Sequence, residues 1–148
     1  HIRKLLESGE VEEAAKFLGH RHCLTQTVQH GFRLGRTIGV PTVNLAVPHN
    51  ILTPAFGVYV TRVYLPGGRN FAGVTNVGTR PTVSDSDAVS VETFLLDFDG
   101  DLYDQEIRVE FCRRLRGEKK FDSLEELRQE IQRNAQQTRE YFQENPIQ

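Results

Sequence analysis

Between residues 23 and 113 the chain is a succession of short stretches rich in β-branched and aromatic residues. Each is closed by turn residues, with too little sequence between most of them for a crossover helix. Residues 23–29, 42–47, 57–64, 70–76, 90–97 and 106–113 have this character. Parallel neighbours would need a dozen or more connecting residues, so the six strands are expected to pair antiparallel. Pro66-Gly67-Gly68 predicts a hairpin between the third and fourth strands. Asp99-Gly100, a favoured turn dipeptide, predicts a second hairpin joining 90–97 to 106–113.

Helical signals flank this β region. Ile2, Leu5 and Leu6 share a face before Gly9, and Val11, Ala14, Ala15 and Leu18 resume the pattern before Gly19. Ser123-Leu-Glu-Glu126 is a capping box. Beyond it Leu124, Leu127, Ile131, Ala135, Thr138 and Phe142 recur at helical spacing, a stripe expected to pack on the outside of the sheet. At 148 residues, with 38% hydrophobic and 26% charged side chains, the chain suits one globular domain. A net charge of −2 gives no general attraction to nucleic acid, and no run is long and apolar enough for a membrane span. Cys23 and Cys112 form no C-x-x-C and are read as reduced thiols, with a cytoplasmic location as the default.

Chemistry is concentrated around residues 31–45. Gly31, Gly35 and Gly39 stand four apart, and Arg36 puts a planar cation among them, an arrangement suited to phosphate. On their own, glycines with one arginine are more often just a turn. Pro41 biases Val40 to an extended conformation, and beyond it Thr42 and Asn44 fall on one face of a strand. Their hard oxygen donors suit Mg²⁺ that takes its other ligands from water and a nucleotide. No G-x-x-x-x-G-K-[ST], H-R-D or D-F-G occurs. Glu92 shares a face with Phe94 and Leu96 by alternation, so it is either at a wet strand end or held for a purpose. Arg116, Lys119 and Phe121 read, unaided, as a basic loop with an anchoring aromatic, and His20 and His22 as linker polarity with no third metal ligand nearby.

The run Gly35-Arg-Thr-Ile-Gly-Val-Pro-Thr-Val-Asn-Leu45 resembles the G-R-x-x-G-x-P-T-x-N-L signature of riboflavin kinases, including the kinase module of bacterial bifunctional FAD synthetases. Asn76-Val-Gly-Thr-Arg-Pro-Thr82, Val91-Glu-Thr-Phe-Leu-Leu96 and Leu115-Arg-Gly-Glu-Lys-Lys-Phe-Asp-Ser-Leu-Glu-Glu-Leu127 resemble the same family in the same order, so the likeness spans roughly residues 22 to 142. The resemblance implies a six-stranded antiparallel, Greek-key-like β-barrel with a long C-terminal helix outside it and a short helical segment in front. It implies transfer of the γ-phosphoryl of ATP to the 5′-hydroxyl of riboflavin, giving FMN and ADP. Glu92 would be the base. Gly31, Gly35, Arg36, Gly39, Thr42, Asn44 and Tyr103 would bind the nucleotide, with Thr42 and Asn44 also on Mg²⁺. Arg116, Lys119 and Phe121 would contact the flavin, while Asn76 and Arg80 receive no chemical role. Arg113 and Arg114 are read as surface charges.

Residues 1–19 resemble the tail of an adenylyltransferase domain lying before the kinase barrel of residues 20–148. Two positions depart from the family pattern: Phe32 in the glycine loop, and Asp104 where glycine usually follows the tyrosine. The alternative to a kinase is a non-catalytic flavin- or nucleotide-binding barrel. Against it stands Glu92 together with Thr42 and Asn44, since binding alone needs no base.

Overall fold

A computed structural model describes residues 2–28, 42–47, 52–79, 89–98, 102, 104–117 and 121–145. Two short helices, α1 (Ile2–Glu7) and α2 (Val11–Leu18), precede six strands: β1 (Cys23–Thr27), β2 (Thr42–Val47), β3 (Gly57–Tyr64), β4 (Asn70–Thr79), β5 (Val89–Leu95) and β6 (Glu106–Arg116). A long helix, here α3 (Leu124–Glu144), comes after them. Every ladder is antiparallel and the strand order is β1-β6-β3-β4-β5-β2. Strands β3, β4 and β5 run side by side and β6 returns to lie against β3, which is a Greek key. The edge strands β1 and β2 approach each other, so the sheet curls into a barrel.

The β3–β4 hairpin forms where the sequence predicts it. Gly68 N–H donates to Leu65 C=O at 3.2 Å, and Gly67 has φ +90°. Proline at the second position and a positive φ at the third define a type II turn, which only glycine enters cheaply. The second expected hairpin does not exist. Strand β5 pairs with β4 and β2, whereas β6 pairs with β3 and β1. A turn dipeptide reverses the chain locally but does not decide which strand its continuation joins. Asp99 and Gly100 lie outside the described residues.

Alternation sorts the side chains. Val43, Leu45, Tyr59, Val63, Val77, Val91, Leu95, Ile107, Val109 and Phe111 point inward and form one core cluster. Leu6, Val11 and Ala14, none above 1% exposed, join that cluster, and Ala55 N–H donates to Leu6 C=O at 2.8 Å. The two N-terminal helices are therefore built into the barrel. His22 is part of this junction: its ring stacks on Phe111 and Nε2 lies 2.9 Å from Leu52 C=O. Arg114, expected as a plain surface charge, donates to Phe56 C=O at 2.8 Å and lies against Gly9 and Gly57. A Cβ on Gly9 would come within 2.6 Å of its side chain.

Helix α3 has the expected cap, with Ser123 Oγ accepting from Glu126 N–H at 3.1 Å. Its buried line shares Thr138 with the expected stripe and otherwise differs from it. Glu130, Asn134, Thr138 and Tyr141 are buried, while Leu124 is 52% exposed. Helical period finds a stripe, but the barrel's outer face offers arginines as well as apolar atoms, and polar residues meet them. Asp104 explains its own departure from the family pattern. Its φ is +66°, in the left-handed region that glycine favours and that aspartate tolerates better than most residues.

Candidate functional site

The outward side chains of β2, β4 and β5 are those that alternate with the core. Val91 and Thr93 are fully buried, so Glu92 between them must point out of the barrel. In the ladder Asn44 stands directly opposite Glu92 on one side, and Asn76 stands opposite it on the other. Thr42, two residues before Asn44, reaches diagonally and donates its hydroxyl to Glu92 Oε1 at 3.0 Å. A hydrogen bond to a carboxylate is stronger than a neutral one, so it fixes both side chains. Ser90 Oγ donates to Asn44 Oδ1 at 3.3 Å. The result is a cluster of Thr42, Asn44, Ser90 and Glu92 on the outer face of two adjacent strands.

Thr42 and Asn44 do share a face, as alternation predicts, and Glu92 shares it with Phe94. Leu96 does not belong with them: β5 ends at Leu95, and Leu96 is buried with its N–H on Ala72 C=O. Ser90 was not singled out from the sequence. The same period of two that groups Glu92 with Phe94 would also have found it.

A second polar group lies further along the same outer face. Continuing from Glu92 through Asn76, the ladder reaches Val58 and then Arg116. Neighbouring strands lie about 4.8 Å apart, so Arg116 is roughly 14 Å from Glu92 across the sheet. Arg116 Nε is 3.1 Å from Glu130 Oε1, an ion-pair contact at an angle unsuited to a hydrogen bond. Its Nη2 donates to Asn134 Oδ1 at 3.3 Å and its Nη1 to Gly117 C=O at 3.2 Å. The guanidinium carbon lies 5.6 Å from the centre of the Phe121 ring. Burial pulls the Arg116 guanidinium below its ordinary value, with Glu130 opposing that shift. With Nε and Nη2 held by α3 and Nη1 by Gly117 C=O, this arginine offers outward chiefly a flat cationic face beside an aromatic ring.

Glu130 and Asn134 are the residues sequence reasoning missed at this end. Nothing local marks them, because their role depends on α3, packed against β4 and β3, meeting Arg116 at the end of β6. Gly31, Gly35, Arg36, Gly39, Tyr103 and Lys119 lie outside the described residues, as do Phe32 and Arg80. Among the described residues no group of three or more His, Cys, Asp or Glu side chains converges, and no helix is long and apolar enough to cross a membrane. Burial pushes the Cys112 thiol up to about 12, so it is a packed thiol, not a nucleophile.

Comparison with known proteins adds a family to this geometry. The family described as Flavokinase, riboflavin kinase, matches residues 18–142. A bifunctional riboflavin kinase/FMN adenylyltransferase from Listeria monocytogenes is 35% identical over 142 residues, covering 96% of this chain and 45% of the relative. A solved structure described as a macrolide-efflux protein from Streptococcus pneumoniae superposes with a TM-score of 0.82 at 33% identity, covering 93% of this chain and 45% of that one. The riboflavin kinase of Trypanosoma brucei shares the fold, with a TM-score of 0.59 at 22% identity over 82% of this chain and 79% of that one. The chain spans about half the length of the curated relatives it matches. With the family matched over nearly all of the barrel and α3, the chain belongs to the riboflavin kinase family.

Proposed function

We propose that the chain is an ATP:riboflavin 5′-phosphotransferase, and that it forms the kinase part of a longer protein that also carries an adenylyltransferase domain. The observation that carries the reading is the Glu92 carboxylate, oriented by Thr42 and set beside Asn44, in a chain of this family.

Riboflavin's reacting group is a primary alcohol. Glu92 accepts the proton of the 5′-hydroxyl as the new O–P bond forms, and the bond from phosphorus to the β,γ-bridging oxygen breaks to release ADP. The Thr42 hydroxyl holds Glu92 in the rotamer that faces outward, so the base is oriented before substrate arrives.

The donor set fits Mg²⁺. Thr42 uses its one proton on Glu92, which leaves the lone pairs of Oγ1 for a cation, and Asn44 Oδ1 is a second neutral hard oxygen on the same face. When bound, the ion would neutralise the charge developing on the transferring phosphoryl group. Gly31, Gly35, Gly39 and Arg36 would cradle the phosphates and Tyr103 would lie near the nucleotide. Arg116, Phe121 and Lys119 would meet the isoalloxazine, a planar ring suited to a cationic face and an aromatic.

Incubating the chain with riboflavin and Mg²⁺-ATP, and following FMN and ADP by chromatography, tests this reading. Equal amounts of FMN and ADP are expected. Flavin binding without FMN would leave only a binding barrel. FAD formation from FMN by the full-length protein, lost when the segment preceding this chain is deleted, tests the second half of the proposal.

A further inference from the structure

Two neighbours flank Glu92 in the ladder, and the proposed reaction uses only one of them. On the β2 side stand Thr42 and Asn44; on the β4 side stands Asn76. Asn76 is exposed and its side chain makes no hydrogen bond among the described residues. The β4 residues that share its outward face on either side offer no such group. Val74 is 7% exposed and Gly78 has no side chain. Asn76 is thus the free polar group nearest to Glu92 on that strand.

In an in-line displacement the attacking and leaving oxygens lie on opposite sides of phosphorus. If the phosphates and Mg²⁺ occupy the β2 side, the alcohol approaches from the other side of Glu92, over β4. The carbon next to the reacting 5′-carbon in the ribityl chain bears a secondary hydroxyl, as do the two beyond it. A carboxamide both donates and accepts, which suits a hydroxyl. One strand spacing, about 4.8 Å, separates Asn76 from Glu92. That span matches the distance from the 5′-oxygen to the hydroxyls further along the chain.

The geometry points to Asn76 as a substrate-binding residue that hydrogen-bonds a secondary hydroxyl of the ribityl chain and so makes β4 the alcohol side of the site. The inference rests on the phosphotransferase reading. It extends that reading to substrate specificity, because a primary alcohol without the adjacent hydroxyls would leave the carboxamide without its partner.

The experiment compares the wild-type chain with Asn76→Ala, using riboflavin and analogues that each lack one ribityl secondary hydroxyl. With riboflavin, Asn76→Ala is expected to raise KM about five- to tenfold while KM for ATP stays within about twofold, the scale of one neutral hydrogen bond. With the analogue lacking the contacted hydroxyl, wild type and variant should become equal. An unchanged KM for riboflavin, a matching rise in KM for ATP, or the same loss with every analogue would overturn the inference. Absence of FMN from the wild-type chain is a distinct result. It removes the phosphotransferase reading, and this inference with it.

Discussion

Two threonine-containing clusters occupy opposite faces of the same sheet, and they behave differently. Inside the barrel, Thr61, Thr75 and Thr93 on β3, β4 and β5 link hydroxyl to hydroxyl at 2.8 Å and 2.8 Å, all fully buried. Gly73 makes room for them: a Cβ there would lie 2.8 Å from Thr61 Oγ1 and 3.0 Å from Thr93 Cγ2. Outside, Thr42 bonds a carboxylate, and Asn44 and Ser90 bond each other. The inner chain is neutral and dry. Its hydroxyls satisfy one another, as buried polar groups must. The outer cluster carries a charge, faces outward and keeps acceptor capacity beyond its internal bonds. Glu92 and Thr93 are adjacent in sequence and belong to different clusters. The difference teaches that residue type does not distinguish a buried neutral network from an outward charged one; the face of the strand does.

The largest effect belongs to Glu92→Gln, which keeps the shape and removes the carboxylate proposed as the base. FMN formation should fall by about 10²- to 10⁴-fold in kcat, with a thermal midpoint close to wild type. A variant that turned over riboflavin normally would sink the assignment and with it the functional half of the comparison. Thr42→Val removes the hydroxyl that bonds Glu92 and that is proposed to hold Mg²⁺. The loss of a hydrogen bond to a charged group, about 1.5–3 kcal/mol, should appear in kcat/KM for Mg²⁺-ATP, again with little change in stability.

Thr75→Val should do the reverse. It removes the central member of the inner chain and leaves two buried hydroxyls each short of a partner, lowering stability by about 1–3 kcal/mol in denaturant unfolding. Activity per folded molecule should hold. Loss of activity without loss of stability would mean that the two faces are not independent.

The smallest effect locates acid sensitivity outside both clusters. Burial lowers the pKa of His22 below its ordinary value. A depressed histidine stays neutral in the folded chain while the unfolded chain takes up a proton. Its contribution is therefore complete above the unfolded value of about 6.5 and is lost as pH falls below it. Comparing thermal midpoints at neutral and mildly acid pH, His22→Gln should show the shallower decline. An equal decline would assign the acid sensitivity elsewhere.

Much of the fold was legible in the sequence. The β-branched runs and glycine turns located the six strands, and Pro66-Gly67-Gly68 fixed one hairpin, because these signals are local in φ and ψ. Alternation put Thr42 beside Asn44, and it could have added Ser90 to Glu92. The Ser123 cap was equally plain. The second hairpin misled because a good turn dipeptide carries no information about the pairing of the next strand. Thr138 was legible in the helical stripe, but Glu130, Asn134 and Tyr141 beside it escaped for a related reason: another element brings each a partner, as Arg116 does for Glu130 and Asn134 and Arg21 for Tyr141.

The sequence by itself determined where strands and helices form and which residues of one strand share a side, since a period of two or 3.6 is a property of a single segment. Only the tertiary structure decided which side is the inside and which strands are neighbours. Thr42 and Glu92 are 50 residues apart, and their hydrogen bond exists because β2 pairs with β5 at the edge of the sheet. That pairing reflects burial of the whole core, a balance no single segment contains.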